Sequence, residues 1–330
     1  MRMNKMNIKK IIAGTVIFLA LTSSIFAAKG LKVVTTIFPE YDWTREILGS
    51  NPGKVELSLL LGKGVDLHSY QPSIQDIAKI ATADIFIYVG GESDFWVEDA
   101  LKNAANKNMK VINLLEALGD KVKEEEIKEG MQAEEEEHDH EGDHHEDDEE
   151  EAEYDEHVWL SLRNAKFLCG EIAAALCEKD SVNAASYKAN LAAYSAKLDA
   201  LDARYTATVK AASKKTILFG DRFPFRYLVE DYGLDYFAAF VGCSAETEAS
   251  FETVIFLAKK VDELDLKSVL KIESGDGKIA RTIIQNSKNK KAKVLTLNSI
   301  QATTKKQADA GASYLKIMEE NLKVLEEALK

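Results

Sequence analysis

The chain predicts an α/β fold: two Rossmann-like lobes with mostly parallel sheets, joined by one long backbone helix. Three observations predict it. At 330 residues the chain exceeds what one compact core usually holds, so two domains are expected. Short apolar runs alternate with helical patterns from residue 31 to the end, with one interruption, and this suits parallel strands buried under crossover helices. Residues 184–212 keep helical spacing for about 43 Å, enough to cross from one domain to another.

The elements follow in order. Residues 1–28 have the form of a signal peptide. Arg2, Lys5, Lys9 and Lys10 precede an apolar stretch at 11–26, and Ala27 and Ala28 are small enough for cleavage. The stretch is shorter than the roughly 20 residues a spanning helix needs, and no cysteine near the junction offers a lipid anchor. Export to a Gram-negative periplasm is expected. An N-terminal lobe then covers 29–182. Its strands are predicted at 31–38, 55–61, 84–89 and 110–115, and its helices at 41–48, 72–81, 95–106 and 163–179. The linking helix is placed at 183–212. A C-terminal lobe at 213–330 repeats the alternation, with strands at 216–219, 236–241, 268–272 and 293–297. Its helices are expected at 224–232, 251–264, 278–287 and 312–329.

The interruption is chemical as well as periodic. Residues 120–156 hold 21 acidic side chains and three lysines, which leaves the rest with 39 basic against 34 acidic, so the net charge of −13 belongs to one segment. That segment reads as a disordered acidic, His-rich loop, held open by self-repulsion. No basic stripe is available for phosphates, which excludes nucleic acid as a partner. Cys169 and Cys177 lie about 12 Å apart along a helix, too far to bridge, and no disulfide framework follows. No nucleophile elbow, phosphate-binding loop, dinucleotide fingerprint or His-Glu-x-x-His helix occurs.

Six histidines carry the chemistry that remains. Four of them, His138, His140, His144 and His145, fall in the acidic run and form an accessory metal tract; the plain alternative is a solvated spacer. His68 stands in GVDLHSYQPS, after the second strand, where loops at the carboxyl ends of a parallel sheet face a cleft. Imidazole there suits zinc and other borderline metals, although a loop histidine bonded to a backbone carbonyl is the simpler reading of position alone. His157 stands in YDEHVWLSLRNAK, where the tract re-enters the fold. It is placed to pass an ion inward, or it is merely the tract's last polar residue.

These segments in this order resemble the solute-binding proteins of zinc and manganese ABC importers, the ZnuA/TroA type. GVDLHSYQPS is similar to the first metal-binding loop of that family and YDEHVWLSLRNAK to its second ligand segment. FRYLVEDYGL resembles the stretch after the third ligand, and GCSAETEAS the glutamate-containing loop that follows. A His- and acid-rich insertion is typical of the zinc branch. The resemblance spans about 31–330. It implies a periplasmic protein, not an enzyme, which acts as a monomer and binds one divalent ion, Zn2+ rather than Mn2+ or Fe2+, between its lobes. It also implies delivery to an ABC permease in the inner membrane, with only small lobe movements on release. A zinc buffer and a metallohydrolase are the competing readings.

The resemblance implies His68 and His157 as ligands from the first lobe. At the third ligand position this chain has Arg222, and a cation cannot ligate a cation. Asp221 is the expected substitute. Where the manganese branch has an acidic fourth ligand the chain has Asn298, so Glu273, or else Glu246, is expected to complete the shell. Either glutamate could instead pair with Arg222. Cys243 is a soft donor whose simpler reading is a buried apolar side chain.

Overall fold

The computed structural model describes residues 30–50, 55–132, 153–244, 246 and 248–330. The expected signal segment and the four tract histidines lie outside them. The first sheet is wholly parallel and contains β1 (Leu31–Thr35), β2 (Val55–Leu59), β3 (Ile85–Tyr88) and β4 (Lys110–Asn113), in the order β2-β1-β3-β4. Helices α1 (Phe38–Leu48), α2 (Ile74–Ala81), α3 (Trp96–Lys102) and α4 (Leu114–Leu118) join and follow these strands. α1 starts three residues before the sequence pattern suggests. Pro39 sits in its first turn, where a missing N–H costs nothing, and the buried Glu40 carboxylate accepts from the backbone N–H of Thr36 at 2.8 Å.

α5 (Leu162–Lys179) leads to the linking helix α6 (Ala184–Ala211). Among the described residues no helix is long and apolar enough to cross a membrane. α6 touches both halves of the molecule. Near its start Asn190 donates to the Ile47 carbonyl at 2.9 Å, and near its end the Tyr205 hydroxyl donates to the Met318 carbonyl at 2.6 Å.

The second half contains β5 (Thr216–Leu218), α7 (Arg226–Tyr232), β6 (Asp235–Phe237), α8 (Phe251–Glu263), β7 (Ser268–Lys271), α9 (Lys278–Asn286), β8 (Lys293–Thr296), α10 (Lys305–Asp309) and α11 (Tyr314–Ala328). β5 pairs with β6 and β7 with β8, all parallel, and one bridge between Phe219 and Leu270 joins the two pairs. The order β6-β5-β7-β8 therefore repeats that of the first sheet: second, first, third, fourth. α11 returns to the first half, where the Tyr314 N–H donates to the Asp42 carboxylate at 2.7 Å. One apolar core runs continuously from the first sheet through α5, α6 and α11 to β5, and a smaller one fills the space under α8 and α9.

The described flanks of the acidic segment differ from the structureless loop expected there. Glu124 and Tyr154 form an antiparallel bridge. Lys123 N–H donates to the Tyr227 hydroxyl at 3.0 Å, Glu126 pairs with Arg226 at 2.6 Å, and Gln132 N–H donates to the Ala239 carbonyl at 2.9 Å. Backbone and side-chain partners in the second half thus offset the self-repulsion that the composition suggests.

Candidate metal centre

His68 lies in a short 3-10 turn, Leu67–Ser69, beyond edge strand β2. Asp66 caps the turn by accepting from the His68 N–H at 3.2 Å. The His68 Nδ1 faces the Ser93 hydroxyl at 2.7 Å, with the Glu156 Oε2 at 3.6 Å. The Gln301 amino group at 3.4 Å from Nε2, its Oε1 held by Arg222, assigns the proton to Nδ1. His157 is fully buried immediately before the turn Val158–Leu160. Its Nδ1 faces Asp155 Oδ1 at 3.0 Å, which likewise assigns the proton to Nδ1 and orients the ring. Trp159 packs against that ring and is anchored by donating to the Ser299 carbonyl at 2.8 Å.

Both imidazoles therefore direct an Nε2 lone pair at the same point. The two Nε2 atoms are 3.3 Å apart. Two nitrogens bound to one tetrahedral zinc ion at about 2.05 Å would lie about 3.3 Å apart as well. A hydrogen bond between the rings would give the same distance, but it would set an N–H of His68 against the Gln301 amino group, or take the His157 proton away from Asp155. Burial, and next the neighbouring His157, push His68 down to about 3, so its ring is neutral at physiological pH and its lone pair is available to a metal.

The second half supplies one further donor. Among the described residues, the Cys243 Sγ and one ring nitrogen of each of His68 and His157 all lie within 4.8 Å of one another. Gly242 lets this loop approach: a Cβ there would stand 3.1 Å from two atoms of the His157 ring and 3.0 Å from the Phe223 carbonyl oxygen.

The carboxylates expected from the second half are committed elsewhere. Asp221 accepts from the N–H groups of Arg222 at 3.0 Å and Ile272 at 3.2 Å, tying the ends of β5 and β7 together. Glu273 receives the Ser299 N–H at 2.7 Å and its hydroxyl at 2.8 Å. Unsatisfied backbone N–H groups at strand ends compete successfully for both acids. Glu246 is exposed, and Asn298 accepts from the Ile300 N–H at 2.7 Å. The structure thus brings His68 and His157 together and leaves Asp221 and Glu273 out of the group.

Arg222 pairs with Asp66, donates to Gln301 Oε1 at 3.2 Å and to the Ser244 carbonyl at 3.4 Å. It fastens the His68 loop to the second half. Burial alone would raise the Asp66 carboxyl, but Arg222 and then His68 hold it below the usual range. The Gln301 amino group in turn lies 3.4 Å from His68 Nε2, consistent with a lone pair there.

The family model for the periplasmic component A of zinc-uptake complexes matches residues 33–328. The chain belongs to this ZnuA family. Zinc-binding protein AdcA of Streptococcus pyogenes serotype M18 is 30% identical over 305 residues, covering 91% of this chain and 56% of the relative. The chain thus spans little more than half the length of that relative. The high-affinity zinc uptake system protein ZnuA of Bacillus subtilis is 33% identical over 299 residues, covering 91% of this chain and 88% of the relative. Among solved structures, the Zn(II)-bound ZnuA-like domain of Streptococcus pneumoniae AdcA superposes with a TM-score of 0.68 at 27% identity, covering 91% of this chain and 99% of that one. The metal-dependent lipoprotein YcdH of Bacillus subtilis gives 0.70 at 28% identity and covers 91% and 100%. The two-lobe α/β architecture of the ZnuA family is the one described above.

Proposed function

We propose that this member of the ZnuA family captures Zn2+ between its two halves and delivers it to an ABC importer. The observation that carries the reading is the convergence of the His68 and His157 Nε2 lone pairs, 3.3 Å apart. Imidazole nitrogens aimed at one point, with carboxylates behind the rings, are the arrangement of a metal site. Zinc-binding relatives across most of the chain support zinc over Mn2+ or Fe2+. In this reading residues 1–28 direct export to the periplasm, the permease in the inner membrane receives the ion, and the protein works as a monomeric carrier without turnover. His138, His140, His144 and His145 form a weaker collecting tract that raises the local ion concentration.

Zinc titration of the exported chain, against a competing chelator, tests this. His68→Ala and His157→Ala should each abolish the tightest site, and deletion of 133–152 should leave it intact while lowering total capacity. The deletion must spare 124–132, because those residues hydrogen-bond to the second half. Tight binding that survives both histidine substitutions, or that disappears with 133–152 alone, would move the function to a zinc buffer.

A further inference from the structure

We propose that Cys243 is the third protein ligand of the transported ion, so that the site is His68–His157–Cys243 and its cargo is confined to thiophilic divalent ions. The proposal rests on the carrier reading and names the ligand which that reading leaves open. It begins with a vacancy in the donor set. Asp221 and Glu273 are bonded to backbone N–H groups, and Arg222 is an ion-pair partner of Asp66. What the second half presents to the two imidazoles instead is sulfur, within 4.8 Å of both.

The distances suit a zinc shell. With Zn–N near 2.05 Å and Zn–S near 2.3 Å, the tetrahedral N···S edge is about 3.6 Å, inside the 4.8 Å span of the three donors, so closing the shell asks Sγ to move toward the Nε2 pair. A side-chain rotation supplies that. The backbone is already placed, because Gly242 lies flush against the His157 ring and the Cys243 N–H donates to Glu125 Oε1 at 3.1 Å.

Burial, and next the Glu125 carboxylate, push the Cys243 thiol up, so the charge of the bound ion is what releases its proton. As the sulfur–metal bond forms, the thiol proton passes to solvent. A divalent ion with one thiolate and two neutral imidazoles carries a net charge of +1. Two buried carboxylates stand behind the imidazoles to balance it. Asp155 faces His157 Nδ1, and Glu156 Oε2 lies 3.6 Å from His68 Nδ1 with no hydrogen-bond partner of its own. The Glu156 side chain is only 3% exposed. A buried carboxylate oxygen without a donor is costly until positive charge arrives. A cavity of about 270 Å³ lined by His68, Ser93, Glu125, Glu156 and Cys243 opens beside two of the three donors, with His157 buried behind them.

A thiolate changes which ions the site accepts. Sulfur favours zinc and softer ions, whereas Mn2+ prefers oxygen. The loss of the family's third ligand at Arg222 is thereby offset by a donor that narrows the cargo.

Cobalt substitution reads the thiolate directly. The full chain loaded with one equivalent of Co2+ should show a sulfur-to-cobalt charge-transfer band in the near ultraviolet, lost in Cys243→Ser but kept in Cys177→Ser. Zinc affinity of Cys243→Ser should fall by more than the roughly 10- to 100-fold typical of an outer-shell change. Absence of the band from the unmodified chain, or full zinc affinity in Cys243→Ser while His157→Ala binds none, overturns the thiolate and leaves the carrier reading standing. No tight zinc binding by the unmodified chain removes both. The band needs no variant, so a misfolded Cys243→Ser cannot obscure the result.

Discussion

The two halves of the molecule share one plan and use it differently. Each has four parallel strands in the order second, first, third, fourth, and each presents a donor-bearing loop after its second strand, an edge strand in both cases. In the first half that loop carries His68, and in the second it carries Cys243. The first half backs its donors with two buried acids, Asp155 facing His157 and Glu156 facing His68, with buried Asp94 beyond Glu156. The second half spends its nearest acids on its own framework, with Asp221 joining β5 to β7 and Glu273 holding Ser299. Its sheet gains from this help, since among the described residues its two strand pairs are joined by a single backbone bridge, Phe219–Leu270. The same topology thus provides an electrostatic cradle on one side of the cleft and a braced loop on the other.

The largest test of this contrast concerns the acids of the first half. Asp94 is pushed up to about 7, by burial first and with Glu156 adding to it, and its Oδ1 has no hydrogen-bond partner. A carboxyl raised in the folded state stabilises the fold fully below its unfolded value, near pH 4, and that contribution is lost as pH rises through 7. Denaturation of the metal-free chain should therefore show stability falling over this window. Asp94→Asn should match it at pH 4 and exceed it by a few kcal/mol at pH 8. Parallel pH curves for the two proteins would show that Asp94 ionises freely and that the first half stores no such charge.

Next in size is the clasp between the halves. Arg222→Met strands the Asp66 carboxylate, which is about a quarter exposed, so the loss should be near 2 kcal/mol, below that of a fully buried pair. Asp66→Asn in the same chain should recover most of it, read as the unfolding midpoint in urea. If Arg222→Met is as stable as the parent, the His68 loop is held by its own half alone.

The smallest effect is expected at Gly242. Gly242→Ala puts a Cβ 3.0 Å from the Phe223 carbonyl and 3.1 Å from the His157 ring. Overpacking there should cost about 1 kcal/mol of stability. By shifting Cys243 it should also weaken zinc binding by about 10-fold. A change in stability with zinc affinity untouched would separate the glycine from the site.

Much of the architecture was legible in the residues. The eight strands and the long helix follow from apolar runs and helical spacing, which are local properties. α4 and α10 escaped that reading because five-residue helices show too little periodicity. Cys243 had only a weak signal, a soft donor in GCSAETEAS, and its partners lie 86 and 175 residues away in the chain.

By itself, the sequence determined the repeated α/β plan, the linking helix and the two histidine segments, because strand and helix patterning and the matching motifs are written in contiguous residues. Tertiary structure alone decided which donors meet. Asp221 and Glu273 look like ligands until the strand ends, folded together, offer them backbone N–H groups that no local pattern reveals. Arg222 looks misplaced until Asp66 arrives from the other half. Which carboxylate faces a cation and which a peptide N–H depends on long-range packing, and only the closed fold sets it.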